Sequence, residues 1–338
     1  MTETKILRAS TENILDCVEY LKNGDVVGIP TETVYGLAAD AFNADAVEKI
    51  FKIKGRPSDN PLICHISDLK MLDYLTCDQN SLLFRNITQK FWPGPLTVIL
   101  PKKADVLNLV SANLETVAIR FPSSAVARKL ICSFGRPLVA PSANLSGRPS
   151  PTTALHVYND LKGRVGVILD GGECEIGLES TVIRLEGDLV EVLRPGAVSV
   201  DMLKDVAANV SLSDSVLKPF DLDCAAVSPG MKYAHYSPKA EIVLIDSSFS
   251  SFCKYVLDRT GRDVWCVVFD GEQGFFQKNV LTFGSSPASQ ARNVFSILRK
   301  LDEVGARKAF FRAPSKSGIG LAVYNRLLRA SGFNLVVL

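Results

Sequence analysis

The chain has 338 residues, 47% of them hydrophobic and 22% charged, with a net charge of +2. That composition excludes a fibrous or disordered chain and leaves length for two domains, each with its own core. It also argues against a dedicated nucleic-acid binder, which at this size would carry a larger positive excess.

The opening stretch MTETKILRAS has no apolar signal core, and apolar runs such as VWCVVF fall far short of a membrane span. A cytoplasmic protein with no membrane attachment is expected. Residues 12–23 read as a helix, with Ile14, Cys17, Val18 and Leu21 on one face and Gly24 as its stop. VVGIP reads as the first strand. PTETVYGLAADAF (30–42) follows as a loop, with Thr31, Thr33 and Tyr35 at a common ligand position of an α/β sheet, or in a satisfied turn. A second helix starts at an Asn43 cap, with Val47, Ile50 and Phe51 on its apolar face. It ends in FKIKGRPSDNPL (51–62), where Lys52, Lys54 and Arg56 stand within five positions. Such cations either oppose the helix dipole or wait for an anion.

PLICHI (61–66), LTVIL (96–100), TVAIRF (116–121), PLVAP, VGVIL, STVIRL and LVEVL continue the strands. Helical patterns at 78–91, 123–134 and 152–161 separate many of them, and EGD marks a hairpin between the last two. The series gives an α/β fold with a mixed sheet, running to about residue 200. Beyond 201 the periodicity weakens in a stretch rich in Ser, Pro and Asp, read as an interdomain connection over 201–239. From 240 to 338, EIVLID, VWCVVF and KAFFRA alternate with helical stretches at 249–258, 287–303 and 320–330, as in a smaller Rossmann-like α/β domain.

The eight cysteines form no C-x-x-C pair, so neither a zinc cluster nor a redox dithiol is indicated. Cys64 and Cys266 read as small buried hydrophobes of a reducing compartment. There is no G-x-x-x-x-G-K-[ST], H-E-x-x-H, G-x-S-x-G or complete G-x-G-x-x-G. In TVAIRF, period two sets Thr116, Ala118 and Arg120 on one face and Val117, Ile119 and Phe121 on the other. The small polar face is a solvated surface or, over a cleft, an arginine clamp for carboxylate or phosphate. STVIRL repeats this with Ser180, Val182 and Arg184, and His65 shares a face with Ile63. PSANLSGRPSPTTA (141–154) offers Ser142, Asn144, Ser146, Arg148 and Ser150 before a helix start, a pattern suited to phosphate or ribose. Lys54, Arg56, Arg120, Arg148 and Arg194 could converge around one polyanion. No carboxylate pair and no Ser/His/Asp set appears, so the chemistry is positioning and charge neutralisation.

In combination, PTETVYGLAADAF, KGRPSDNPL, WPGPLT, APSANLSG, GLESTVIRL and LRPG closely resemble the YrdC-like family of threonylcarbamoyl-AMP synthases. SPGMKYAHYSP and GIGLAVYNRLLRAS resemble its long, two-domain form, and the likeness covers nearly the whole chain, more loosely over 240–338. The resemblance implies a YrdC-like catalytic domain at 1–200 with a twisted mixed sheet, a linker at 201–239 folding over the active site, and the Rossmann-like domain at 240–338. It implies synthesis of threonylcarbamoyl-AMP and pyrophosphate from L-threonine, bicarbonate or carbon dioxide, and ATP. The product would serve the threonylcarbamoyladenosine modification of tRNA beside the anticodon.

Carried onto this sequence, the family's motifs imply catalytic roles for Lys54 and Arg56 on the ATP phosphates. Asn60, Thr116, Ser142, Asn144, Ser150 and Arg194 join them on the nucleotide, with Lys232 and Tyr236 contributed by the linker. Thr33, His65, Arg120, Ala140 and Ser180 would hold L-threonine, with Arg120 on its carboxylate. Magnesium would ride on phosphate oxygens and water, with no residue assigned to a metal. The implied partners are ATP, L-threonine, bicarbonate and the downstream tRNA threonylcarbamoyltransferase machinery. Two alternatives stay open: a weakly RNA-binding, ribosome-assembly module without ATP turnover, and a carbamoyl-transfer domain of hydrogenase-maturation type.

Overall fold

The computed structural model describes residues 3–218, 236–259 and 261–338. Its first part contains, in chain order, β1 (Lys5–Arg8), α1 (Thr11–Lys22), β2 (Val27–Ile29), β3 (Gly36–Asp40), α2 (Ala44–Lys54), β4 (Ile63–His65), α3 (Leu82–Phe91), β5 (Leu96–Pro101), α4 (Asn108–Ser111), β6 (Thr116–Arg120), α5 (Ala125–Phe134), β7 (Leu138–Val139), α6 (Ala154–Leu161), β8 (Val167–Asp170), β9 (Thr181–Glu186), β10 (Leu189–Arg194), α7 (Val200–Lys204) and β11 (Asn209–Leu212). These strands form one mixed sheet in the order β1-β8-β2-β3-β7-β4-β6-β5-β9-β10-β11. The second part contains β12 (Glu241–Asp246), α8 (Phe249–Leu257), β13 (Val264–Val268), β14 (Val280–Thr282), α9 (Pro287–Glu303), β15 (Lys308–Arg312), α10 (Gly318–Ala330) and β16 (Leu335–Val337). Its sheet runs β14-β13-β15-β12-β16 with every neighbouring pair parallel, the α/β pattern expected from alternating strands and helices. No helix among the described residues is long and apolar enough to cross a membrane.

Local chemistry sets these boundaries. The Asn43 side chain accepts from Ala46 N at 3.1 Å and opens α2, while Gly55, at φ +61°, turns the chain out of it. The β9–β10 hairpin closes through Gly187 and Asp188, with Leu189 opposite Glu186. One face of the first sheet carries the main core, in which Cys64, Val98, Val117 and Ile119 pack with α1, α2, α3 and α5. The other face carries a small apolar patch of Ile63, Ile99, Ala118, Val182 and Leu193.

Three expectations need correction. VVGIP holds the second strand rather than the first: β1 (Lys5–Arg8) precedes it and pairs in parallel with β8. PTETVYGLAADAF is not all loop: Gly36–Asp40 is β3, buried throughout and antiparallel to β2. Its small residues have poor strand propensity, yet a Cβ on Gly36 would lie 3.1 Å from Ala140 Cβ, so close strand approach favours them. Nor is the stretch after 200 without regular structure. Helix α7 follows, and β11 adds to the sheet edge in parallel with β10, giving 209–212 partners that the sequence pattern did not show.

Candidate active site

The cleft lies on the patch-bearing face of the first sheet, at one end of it. Register places His65 of β4 beside Arg120 of β6, Arg120 beside Thr97 of β5, Thr97 beside Val182 of β9, and Val182 beside Arg194 of β10. Side chains at paired positions share a face, so His65, Arg120, Thr97 and Arg194 form a polar row next to the apolar patch. Ser180, just before β9, completes it: its hydroxyl is 2.7 Å from Thr97 Oγ1 and accepts from Arg194 Nη2 at 3.1 Å. The period-two reading of TVAIRF therefore describes a cleft wall.

Arg120 is buried and held on two sides. Its Nη1 donates to Thr33 Oγ1 at 2.8 Å and its Nη2 to Glu32 Oε1 at 2.6 Å, while its Nε has no hydrogen-bond partner. Burial pushes the Glu32 carboxyl up, but the Arg120 charge and hydrogen bonds outweigh that and hold it below the usual carboxylate range. Burial, then the Arg120 charge, pushes the His65 imidazole down to about 3. The ring is neutral near pH 7. Its Nδ1 lies 3.1 Å from Ile63 O, an atom that can only accept, so Nδ1 carries the proton and Nε2 is an acceptor. Burial likewise lowers the Arg194 guanidinium to about 10, which still leaves it charged near pH 7.

The loop 141–150 forms the opposite wall. Ser142, Asn144, Arg148 and Ser150 line the cleft with Thr33, Arg56, His65, Arg120, Ala140, Ser180, Arg194 and Tyr236, around a space of about 630 Å³ counted with its open mouth. Four guanidinium groups thus face one lining carboxylate, Glu179. Behind the wall, Arg148 pairs with Asp160 at 2.8 Å. Glu179 receives the Ser150 hydroxyl at 2.5 Å and Arg326 Nε at 2.8 Å. Burial pushes its carboxyl up, yet Arg326, Arg194 and the Ser150 hydroxyl hold it below the usual range. Tyr236 is buried with its ring 5.2 Å from that of Phe295 of α9.

Three assigned residues stand outside this lining. Lys54 does not line the cleft: its buried ammonium donates to the carbonyls of Ser142 and, at 2.6 Å, of Asn144. It acts on the loop's backbone, because α2 ends directly beneath that loop and Lys54 O accepts from Ser146 N. Asn60 is buried outside the lining, with neither side-chain amide atom partnered. Thr116 starts β6 and also stands outside the lining, four residues from Arg120 at the strand's other end. Lys232 lies outside the described residues. Arg184, grouped with Ser180 by period, pairs instead with Glu186 and Glu191. The cleft also holds or leans on Glu32, Glu179 and Arg326, none of which the sequence reading singled out. Glu32 and Glu179 each precede an assigned residue (Thr33 and Ser180), and Arg326 sits in the GIGLAVYNRLLRAS stretch.

Residues 19–196 match the family described as Telomere recombination, the Sua5–YciO–YrdC family, and residues 198–332 match the family described as Threonylcarbamoyl-AMP synthase, C-terminal domain. The chain is 38% identical to the threonylcarbamoyl-AMP synthase of Pyrococcus abyssi, over 94% of this chain and 93% of that one. It is 39% identical to that of Bacillus subtilis, over 98% and 97%. Among solved structures, P. abyssi Sua5 complexed with L-threonine superposes with a TM-score of 0.92 at 36% identity, covering 100% of this chain and 99% of that one. E. coli YciO superposes with a TM-score of 0.51 at 25% identity, over 57% of this chain and 95% of that one.

Proposed function

The chain belongs to the threonylcarbamoyl-AMP synthase family, and we propose that its cleft joins L-threonine, bicarbonate or carbon dioxide, and ATP into threonylcarbamoyl-AMP and pyrophosphate. The observation that carries this is the gathering of four arginines and several hydroxyls around one cleft. In the reaction the threonine amine adds to carbon dioxide and loses a proton, giving a carbamate. A carbamate oxygen attacks the α-phosphorus, and the bond to the β-phosphate bridging oxygen breaks, releasing pyrophosphate. Each step gathers negative charge, and fixed guanidinium groups stabilise charge without reorganising.

Arg120, with its unpartnered Nε, would take the threonine carboxylate, and Thr33 and Ser180 would fix the amino acid's orientation. His65 is too weak a base near pH 7 to remove a proton; its Nε2 would accept a hydrogen bond from the threonine hydroxyl or amine. Val34, Ile63 and Ala140 offer the apolar wall for the methyl group. The triphosphate would lie toward Arg56, Arg194 and the hydroxyls of Ser142 and Ser150, with Lys54 fixing the carbonyls of that loop. Magnesium would arrive on the phosphates and neutralise their charge, since the lining carboxylate Glu179 is already engaged by Ser150 and Arg326. The product would be passed to a tRNA threonylcarbamoyltransferase system in the cytoplasm, where the seven described cysteines, all free, would stay reduced.

The test is pyrophosphate release by the full chain. It is expected only with ATP, magnesium, L-threonine and bicarbonate together; equal release without threonine would sink the reading. Salt-sensitive RNA retention without pyrophosphate release would favour the RNA-binding alternative.

A further inference from the structure

We infer that Arg326, on α10 of the second domain, is a positioning residue for the nucleotide half of the cleft, acting through Glu179 on the Ser150 hydroxyl. The inference rests on the reading that ATP occupies the wall around Ser142, Ser150 and Arg194. Arg326 is fully buried. Its Nε donates to Glu179 Oε2 at 2.8 Å, and the other oxygen of that carboxylate takes the Ser150 hydroxyl at 2.5 Å. Its Nη1 donates to Asn325 Oδ1 at 2.8 Å, and Asn325 in turn donates to Val216 O at 2.6 Å. The guanidinium is therefore held by its neighbour Asn325, itself tied to the turn after β11, as it reaches Glu179.

A buried ion pair contributes little net stability beyond what well-packed apolar side chains of similar volume would give. What it does supply is direction: a carboxylate with one oxygen anchored can present the other at one angle. Here that second oxygen fixes a hydroxyl on the cleft wall. The same loop is gripped by the second unit at other points. Ser237 N donates to Gly147 O at 2.9 Å, and Arg299 of α9 donates to Pro149 O at 2.5 Å and to both oxygens of Asp160, the partner of Arg148. The threonine side is held differently. Arg120, Glu32, Thr33, Thr97 and Ser180 bond among themselves and to Arg194, all within the first sheet and its loops. The second domain thus reaches the Ser150 wall through buried polar contacts, and the threonine side through apolar packing on Val34, Leu178 and Ile176, whose N–H donates to Glu32 O.

The experiment uses the full chain and a double-mutant cycle between Arg326→Lys and Ser150→Ala, with KM for magnesium-ATP and Kd for L-threonine as readouts. Lysine keeps Glu179 paired, so the fold is expected to hold, but its ammonium cannot reproduce the guanidinium geometry. Arg326→Lys should raise KM for ATP by about tenfold or more, as misplacement of a binding group does. Kd for L-threonine should stay within about twofold. With Ser150 already Ala, Arg326→Lys should add nothing further, because the two act through one hydrogen bond. Glu179→Gln/Arg326→Met, which removes both charges together, should show the same ATP-only defect. Unchanged KM for ATP in a folded variant, full additivity with Ser150→Ala, or parallel loss of ATP and threonine binding overturns the inference. A parent chain that never releases threonine-dependent pyrophosphate refutes instead the reaction on which it rests.

Discussion

Arg120 Nη2 lies 2.6 Å from Glu32 Oε1, and the two side chains are only 5% and 4% exposed. The pair fixes the guanidinium plane at the cleft wall before any ligand enters. Removing one partner of a buried pair strands the other's charge, at a cost of about 3–5 kcal/mol. Arg120→Met should therefore lose both stability and the heat shift that L-threonine gives the parent. Glu32→Gln should lose stability while keeping a threonine heat shift at least as large as the parent's, because the ligand carboxylate then becomes Arg120's only anion. Scanning calorimetry with and without L-threonine checks both, and a threonine response surviving in folded Arg120→Met would remove Arg120 from the ligand site.

Lys54 and Arg56 stand two residues apart and should behave oppositely. Lys54 holds two loop carbonyls from below, and each buried carbonyl left without a donor costs about 1–3 kcal/mol. Lys54→Met should lower the melting temperature clearly and raise KM for ATP as the loop loosens. Arg56 is only partly buried, and its Nη2 reaches the carbonyls of Asn60 and Pro61 at 3.2 and 3.0 Å. A charge-assisted contact to phosphate is worth about 1.5–3 kcal/mol, so Arg56→Ala should weaken ATP binding by about 10- to 100-fold with little change in melting temperature. Paired thermal melts and ATP titrations separate the two, and a large melting loss with unchanged ATP affinity in Arg56→Ala would reverse their roles.

The contrast shows what the sequence carried. Strand period two placed Arg120 and Ser180 on the cleft face correctly, because in a sheet spacing alone decides the face. A helix's last turn gives no such guide: Lys52, Lys54 and Arg56 read alike as cations, yet Lys52 pairs with Glu48, Lys54 is buried and Arg56 lines the cleft. What separates them is the loop 142–146, about ninety residues on, lying over Lys54. Glu179 and Arg326 were illegible for the same reason. Their meaning is a contact between units 147 residues apart in the chain, and local composition says nothing of it.

The pH dependence of stability follows from His65. Its folded value is depressed to about 3 from 6.5, so below pH 6.5 the unfolded chain takes a proton that the folded chain refuses. That stabilising contribution is complete above 6.5 and is lost steadily as the pH falls toward 3, at about 1.4 kcal/mol per pH unit. His156, pushed down to about 4 by burial and then by Arg299, acts in the same direction. Glu32 and Glu179 are also depressed, but their contribution is lost only as the pH drops below about 4.5. Between 6.5 and 4.5, among the described residues, His65 and His156 therefore set the slope. His65→Gln should flatten it by roughly 1.4 kcal/mol per unit. Urea melts across that range check this, and an unchanged slope would mean His65 titrates normally in the folded protein.

Gly177 gives the sharpest test of how the two domains meet. It has φ +81°, and a Cβ there would lie 2.4 Å from both the Cα and the carbonyl oxygen of Arg292 on α9. Backbone cannot rotate away as a side chain can, so the loop or the helix must shift. The surrounding contacts are tight: Arg292 Nε donates to Glu175 O at 3.0 Å, Ile176 packs on the second domain's core, and Leu178 is fully buried. Glu179, two residues on, should move with the loop and take Ser150 with it. Gly177→Ala is thus expected to destabilise strongly and to raise KM for ATP. Gly187 supplies the control, because it too has a positive φ (+57°), in the β9–β10 hairpin, but a Cβ there would meet nothing within 4 Å. Gly187→Ala should cost only the strain of that conformation, about 1–2 kcal/mol, and leave both substrates' constants unchanged. Melting temperatures and the two constants, measured side by side, isolate the wedge between the domains. If Gly177→Ala were no worse than Gly187→Ala in all three, the α9 contact would be dispensable to both the fold and the cleft.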